Sequence, residues 1–335
     1  MQKVLVTMPA GEIRDSFMPK WVCEYLEQFF NVTYNAADRH MTREELKEAL
    51  IDFDAVMTGW GNAMLDEKVL KDNDRLKLIV HLGGTVGNLI DEYAYRKGIR
   101  VFSGNQMYAE SVAEGTIAYM LMGLRRIPDY IDSMRQGGWR SDIAVWDGLL
   151  DRTVGIIGMG AISSYLIKML QCFRVKIKVY SHYPLDRMWS EKYHCEQASL
   201  EEIFATCDVV SVHSALNAQN RGLIQRKHLQ LLKDGALFIN TSRGDVIDEQ
   251  ALLDELVKNR FVAIIDVYHE EPPAQDSLFR KLPNVYPIPH MAGPTLDRRS
   301  WISKALTDEM RRFFDGEEEF KLEITSDLAK RMTKM

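Results

Sequence analysis

Three short stretches bring an arginine, two carboxylates and a histidine, each directly after an apolar run. They are Asn240-Thr241-Ser242-Arg243-Gly244-Asp245, Asp266-Val267-Tyr268-His269-Glu270-Glu271-Pro272 and Pro289-His290-Met291-Ala292-Gly293. Singly, each has an ordinary account: Arg243 as a surface cation, Glu270 and Glu271 as a solvated pair, His290 as a structural imidazole. At consecutive strand ends, the set points to hydride transfer at the carbonyl of a 2-keto acid. A guanidinium fork can clamp a carboxylate and polarise a carbonyl. An imidazole can deliver a proton as hydride reaches carbon, and serve as base in reverse. A carboxylate beside it favours imidazolium and fixes the ring. The hydride itself calls for a nicotinamide.

One further stretch offers that cofactor a seat. Thr153–Ile157 is a short β-branched run, and Ile162, Tyr165, Leu166, Met169, Leu170 and Phe173 then recur at helical spacing. Between them, Gly158 and Gly160 permit a tight turn. With the free N–H groups of the helix start at Ala161 and Ile162, they can hold a pyrophosphate. Ser163 stands at the third glycine position of that fingerprint. After the next strand, Ser181 stands where an acidic residue would hold the ribose 2′-hydroxyl, and the nearest arginine is Arg187. NAD and NADP both remain open.

These stretches need a scaffold of alternating strands and helices. Residues 3 to about 100 read as strands at Lys3–Met8, Asn31–Tyr34, Ala55–Thr58, Leu78–Leu82 and Arg100–Phe102. A helix is expected over Phe17–Phe30, and Thr42-Arg43-Glu44-Glu45 is a capping box opening another. A flexible Gly83–Gly87 loop follows the fourth strand. From Ala109 to about Met134 runs a mostly apolar helix pattern interrupted by Pro128, a spacer between lobes. Gln136–Asp151, with Trp139 and Trp146, reads either as an arm against a sister subunit or as two ordinary half-buried tryptophans. Six strands follow from residue 151, with helix caps at Ser199 and Asp248. The helical, charged tail after Met291 is too short for a domain of its own. The expected architecture is α/β, with two doubly wound parallel sheets. A Rossmann domain over 104–290 interrupts a flavodoxin-like substrate domain made of 1–103 and 291–335.

Composition narrows the function class. At 335 residues, 46% hydrophobic and 27% charged, the chain has room for two buried cores. Its formal charge of −6 disfavours nucleic acid as a partner. Cys23, Cys172, Cys195 and Cys207 show no C-x-x-C spacing, which suits a reducing compartment. Met1–Val6 reads as a strand start rather than a signal peptide, and no apolar run approaches membrane-spanning length. The expectation is a cytoplasmic protein with no membrane partner. His182, His194 and Cys195 match no recognised zinc spacing, so no metal is expected.

With these residues in view, the sequence resembles the D-isomer-specific 2-hydroxyacid dehydrogenase family, from about Leu78 to Thr295. Gly84-Thr85-Val86-Gly87-Asn88-Leu89-Ile90-Asp91 is similar to its substrate loop and Val112-Ala113-Glu114 to its linker helix. The run Asn240 to Glu249 is similar to its most recognisable motif. The resemblance implies a catalytic trio of Arg243, Glu271 and His290, with Glu271, five residues after Asp266, a better match than Glu270. It implies that Asp266 contacts the nicotinamide carboxamide and that backbone N–H groups of Gly84, Thr85 and Val86 meet the substrate carboxylate beside Arg243. It also implies cofactor contacts from His213, Ala215, Thr241, Ser242, Arg243, His290 and Gly293. Ala215 departs from the family's proline near the adenosine, as Ser163 and Ser181 depart at their positions.

The implied activity is reversible reduction of a 2-keto acid to a D-2-hydroxy acid with NAD(P)H, by a homodimer. The alternative is a dinucleotide-sensing scaffold like the family's corepressors, and a Rossmann methyltransferase is disfavoured by the strand count and the trio. The lack of a long C-terminal extension speaks against a regulated phosphoglycerate dehydrogenase. For the substrate's side chain, Trp60, Tyr108, Met291, Arg298, Arg299 and Trp301 could line an aromatic pocket or a phosphate site. Two surface arginines are the more ordinary account of Arg298 and Arg299.

Overall fold

A computed structural model describes residues 1–139 and 147–333. They form two compact units, Met1–Tyr108 with Pro294–Met335, and Ala109–Gly293.

The first unit is built on five parallel strands, β1 (Lys3–Val6), β2 (Asn31–Tyr34), β3 (Ala55–Thr58), β4 (Leu78–His81) and β5 (Arg100–Ser103), in the order β2-β1-β3-β4-β5. That is the flavodoxin-like order, with its topological switch between β1 and β3. Strand side chains alternate between two apolar layers. Leu5, Val56, Ile79 and Val101 pack into one, while Val4, Val6, Met57, Val80 and Phe102 pack into the other with Ile302, Leu306 and Met310. The last three come from the helix Leu296–Phe314, so the tail completes the first core. Each fully buried side chain of this kind contributes about 1.5–3 kcal/mol.

Local chemistry sets the helix ends. Thr42 accepts the Glu45 N–H at 3.2 Å while Glu45 accepts the Thr42 N–H at 2.8 Å, closing the expected capping box. The single helix expected over Phe17–Phe30 is two, Glu12–Phe17 and Lys20–Glu27. Pro19 causes the break, since it has no N–H to donate and pushes Met18 out of helical conformation.

The second unit carries seven parallel strands: β6 (Thr153–Ile157), β7 (Lys176–Tyr180), β8 (Cys195–Gln197), β9 (Val209–Val212), β10 (Leu237–Asn240), β11 (Val262–Ile265) and β12 (Val285–Pro287). Their order is β12-β11-β10-β9-β6-β7-β8, the Rossmann order with a further strand at the β12 edge. The sequence reading has six, and β8 is the strand it lacks. With only three residues, two of them exposed and polar, an edge strand leaves no apolar signature. The spacer is helical to Arg135 with its interruption at the proline: a helix spans Asn105–Leu124, Arg126 turns left-handed at φ 53°, and Pro128 sits in the first turn of the helix Ile127–Arg135. Of the candidate arm, Trp146 lies outside the described residues and Trp139 is exposed.

Candidate active site

The carboxyl ends of β10, β11 and β12 carry the arginine, the glutamate and the histidine. Each loop is shaped by its own backbone chemistry. After β10, Asn240 accepts both the N–H and the hydroxyl of Ser242, at 3.0 and 2.9 Å, and donates to the Arg243 carbonyl at 3.1 Å. That clasp sets the chain direction at Arg243. Gly244 then lies so close to the next loop that a Cβ would stand 2.1 Å from the Tyr268 carbonyl carbon, so only glycine passes there.

The Arg243 side chain is half-buried. Its Nη1 donates to the Ser242 carbonyl at 2.6 Å, and its buried Nε has no partner. Burial works against the guanidinium charge, and Glu271 is the group that acts to restore it. Glu271 also pairs with the histidine of the set. Its Oε2 lies 2.7 Å from His290 Nδ1, and its Oε1 accepts the Tyr268 N–H at 3.1 Å. A carboxylate fixed in this way accepts the Nδ1–H hydrogen bond and leaves Nε2 as the exchanging nitrogen. His290 itself is left-handed at φ 50°, and its N–H donates to the Asp266 carbonyl at 2.9 Å.

Asp266 is buried, which pushes its carboxyl above the ordinary range. The N–H groups of Met291 and Ala292, at 2.8 and 3.1 Å, act in the opposite direction. Tyr119 Oη donates to it at 3.3 Å, a contact the sequence did not signal because it arises from a helix 147 residues away. Glu270 is exposed, and His269 is engaged outside the trio. His269 pairs with Asp245, and its N–H donates to Glu249 at 2.8 Å.

At the glycine turn after β6, Gly158 has φ 97°, and a Cβ would meet the Ser214 backbone at 2.8 Å. A Cβ at Gly160 would meet nothing within 4 Å. Gly160 caps the ten-residue helix Ala161–Leu170 without a side-chain hydrogen bond, and the N–H groups of Gly160, Ala161 and Ile162 donate to no acceptor among the described residues. This open, donor-lined turn fits a dinucleotide pyrophosphate. Ser163 is accommodated by being used: fully buried, it donates to the Gly158 carbonyl at 2.6 Å. After β7, Ser181 Oγ accepts the Tyr183 N–H at 3.1 Å, and Arg187 pairs with Glu191 at 2.8 Å. His182 Nε2 donates to Asn220 Oδ1 at 2.7 Å, while Asn220 Nδ2 holds the Ala215 carbonyl at 2.9 Å. Gly293 ends the unit, partly buried.

His213 is buried between Ser211 Oγ at 2.8 Å and Thr241 Oγ1 at 3.3 Å, and desolvation pushes it down to about 3. The unfolded chain takes up this proton below about 6.5 and the folded one only near 3, so unfolding gains a proton throughout that interval. The stability contribution is full above pH 6.5 and declines as pH falls, by about 2 kcal/mol at pH 5. Urea unfolding of wild type and His213→Gln at pH 7.5 and 5.0 should show the variant losing about 2 kcal/mol less on acidification.

In the first unit, the loop after β4 presents three consecutive N–H groups, of Gly84, Thr85 and Val86, that donate to no acceptor among the described residues. The Gly84 carbonyl accepts the Ser103 hydroxyl at 3.0 Å, and Thr85 Oγ1 accepts the Gly87 N–H at 3.2 Å. Such a run of unpartnered N–H groups suits an anion. Trp60, Tyr108 and Arg299 cluster in the same unit. Trp301 instead meets Trp21 with ring centroids 5.6 Å apart and planes tilted by 56°, and Met291, in the second unit, is exposed. Among the described residues no three His, Cys, Asp or Glu side chains could hold a metal ion, and no helix is long and apolar enough to cross a membrane.

The profile of the D-isomer specific 2-hydroxyacid dehydrogenase NAD binding domain matches residues 117–292. D-3-phosphoglycerate dehydrogenase of Methanocaldococcus jannaschii is 30% identical over 319 residues, covering 95% of this chain and 58% of that one. The chain thus spans under two thirds of that relative's length. Glyoxylate reductase of Thermococcus litoralis is 29% identical over 308 residues, 90% of this chain and 92% of the relative. A crystal structure of a phosphoglycerate oxidoreductase from Rhizobium etli shares the fold with TM-score 0.80 at 22% identity, covering 97% of this chain and 99% of that one.

Proposed function

The chain belongs to the D-isomer specific 2-hydroxyacid dehydrogenase family, and from that premise we propose that it reduces a 2-keto acid to the D-2-hydroxy acid with NADH or NADPH, reversibly. The observation that carries this reading is the Glu271–His290 pair at 2.7 Å, with the Glu271 charge acting on buried Arg243, the three residues following three adjacent strands and His290 Nε2 left to exchange a proton. The second unit is the cofactor domain and the first the substrate domain. Gly158, Gly160, Ala161 and Ile162 hold the pyrophosphate. Thr241, Ser242, His213, Ala215, Ser181 and Gly293 line the rest of the cofactor's course, and Asp266 anchors the carboxamide.

The bound nicotinamide supplies the hydride. Arg243 draws the substrate carboxylate and the carbonyl oxygen onto its fork, satisfying the Nε that now lacks a partner. His290 gives its Nε2 proton to the carbonyl oxygen as negative charge gathers there. Glu271, hydrogen-bonded to Nδ1, keeps the ring aimed. In the oxidative direction His290 takes the hydroxyl proton. Within the first unit, the N–H groups of Gly84, Thr85 and Val86 offer a place for an anionic group of the substrate.

A panel of 2-keto acids run with NADH and NADPH, followed by loss of nicotinamide absorbance, tests the reading. Turnover of at least one 2-keto acid to the D-product is expected, and absence of turnover across the panel would refute it. The end of β7 bears no carboxylate to repel a 2′-phosphate, and Arg187 is already paired. The two cofactors should therefore agree in kcat/KM within about tenfold. We further propose a cytoplasmic homodimer. The helix Ile127–Arg135 buries none of its residues and exposes Ile127, Ile131 and Met134 along one face, with exposed Trp139 just beyond. Sedimentation at micromolar protein should give a dimer.

A further inference from the structure

In the first unit, the guanidinium of Arg299 lies between two aromatic rings, 5.3 Å from the Phe17 centroid and 5.2 Å from that of Trp60. Phe17 follows β1 and Trp60 follows β3, the two strands that flank the sheet's topological switch. Open α/β sheets bind ligands outside the carboxyl ends of their strands at that point. Arg299 therefore occupies the place where this sheet would take a ligand.

Its charge is not spent internally. Arg299 Nη1 donates to Ser16 Oγ at 3.1 Å, buried Nε has no partner, and no carboxylate pairs with the side chain among the described residues. Beside it stands Tyr108, whose ring meets that of Trp60 edge-on at 6.3 Å and whose buried hydroxyl also has no partner. The Arg299 charge acts directly on that phenol. An unpaired guanidinium nitrogen and an unpaired phenol, both desolvated, cost free energy unless a ligand completes them. The Tyr108 ring in turn lies against Gly84, where a Cβ would be 3.4 Å from it. One ring thus separates the free N–H groups of the Gly84–Val86 loop from the Arg299 guanidinium.

We propose that Arg299 and Tyr108 form a distal anion subsite, held between Phe17 and Trp60, which makes the preferred substrate a 2-keto acid with a second anionic group. The inference rests on the keto-acid reductase reading above. The loop takes the 1-carboxylate and Arg299 the far end, whether carboxylate or phosphate. The aromatic faces hold the fork rigid and keep water from it, so the ion pair forms at reduced dielectric.

The test compares kcat/KM for 2-oxoglutarate with that for 2-oxopentanoate, which has the same chain length and one charge fewer. 3-Phosphohydroxypyruvate serves as the phosphate arm. Wild type should favour a dianion at least tenfold, and whichever dianion leads identifies the far group. Arg299→Met should lower the ratio at least tenfold, Arg299→Lys should restore part of it, and Tyr108→Phe should lower it severalfold without loss of fold. Protection against thermal unfolding by the same dianions, measured without turnover, should be present in wild type and absent in Arg299→Met. If the monoanion is reduced but the ratio is near one and unmoved by Arg299→Met and Tyr108→Phe, the subsite is wrong and the reductase reading stands. If no keto acid is reduced, the reductase reading fails. The anion subsite then survives only if the dianions still protect wild type and not Arg299→Met.

Discussion

Replacing His290 with asparagine should lower kcat for keto-acid reduction by about two to four orders of magnitude, the range a positioned general acid contributes. Asparagine can still accept or donate at the Nδ1 position and meet Glu271, so the loop should hold its course. What it lacks is a titratable nitrogen to hand the carbonyl oxygen its proton. Dinucleotide affinity, read by nicotinamide fluorescence, should change by less than tenfold, because the turn at Gly158–Ile162 belongs to a different strand end. Arg243→Lys should fail almost as badly. A lysine restores the charge but cannot grip carboxylate and carbonyl together. Loss of one charge-assisted bond of about 1.5–3 kcal/mol corresponds to roughly ten- to hundredfold in kcat/KM, and loss of both to more. Either variant retaining wild-type kcat/KM would remove His290 or Arg243 from the chemistry.

Gly244→Ala should be the most damaging conservative change in the second unit. The added methyl would sit 2.1 Å from the Tyr268 carbonyl carbon and 2.3 Å from the His269 nitrogen. Both are backbone atoms, so no side-chain rotation relieves the clash, and two loops must separate. Overpacking of this kind costs up to about 3 kcal/mol or more. For a unit of this size that is a fall in Tm of roughly 6–12 °C. Those loops carry Arg243 and Glu271, so activity should fall further than stability does. The two effects separate in one experiment. At a temperature where the variant remains folded by circular dichroism, kcat/KM should still be reduced at least tenfold. Full activity at that temperature would show that the Arg243–Glu271 geometry does not depend on this close approach.

Much of this was legible from residues alone because it rests on short-range rules. The β-branched run before Gly158, the helical spacing after it and the caps at Thr42, Ser199 and Asp248 are local patterns, and each appears where the spacing places it. Pro19 was legible too, yet a continuous apolar periodicity on both sides concealed the break it makes. The polar edge strand at Cys195–Gln197 gave no signal, because its pairing with β7 is a tertiary event rather than a local preference.

The amino-acid sequence by itself determined the strands, the glycine turn and which chemically capable residues follow which strand. These depend on side-chain volume, branching and hydrogen-bonding capacity within a few positions. Only the tertiary structure decided which of those residues meet. Tyr119 reaches Asp266 from a distant helix. Arg299, an ordinary surface cation by its neighbours in sequence, lies between two rings delivered by two different strands. Burial, pairing and the loss of pairing are properties of groups brought together by chain return, and no local pattern encodes them.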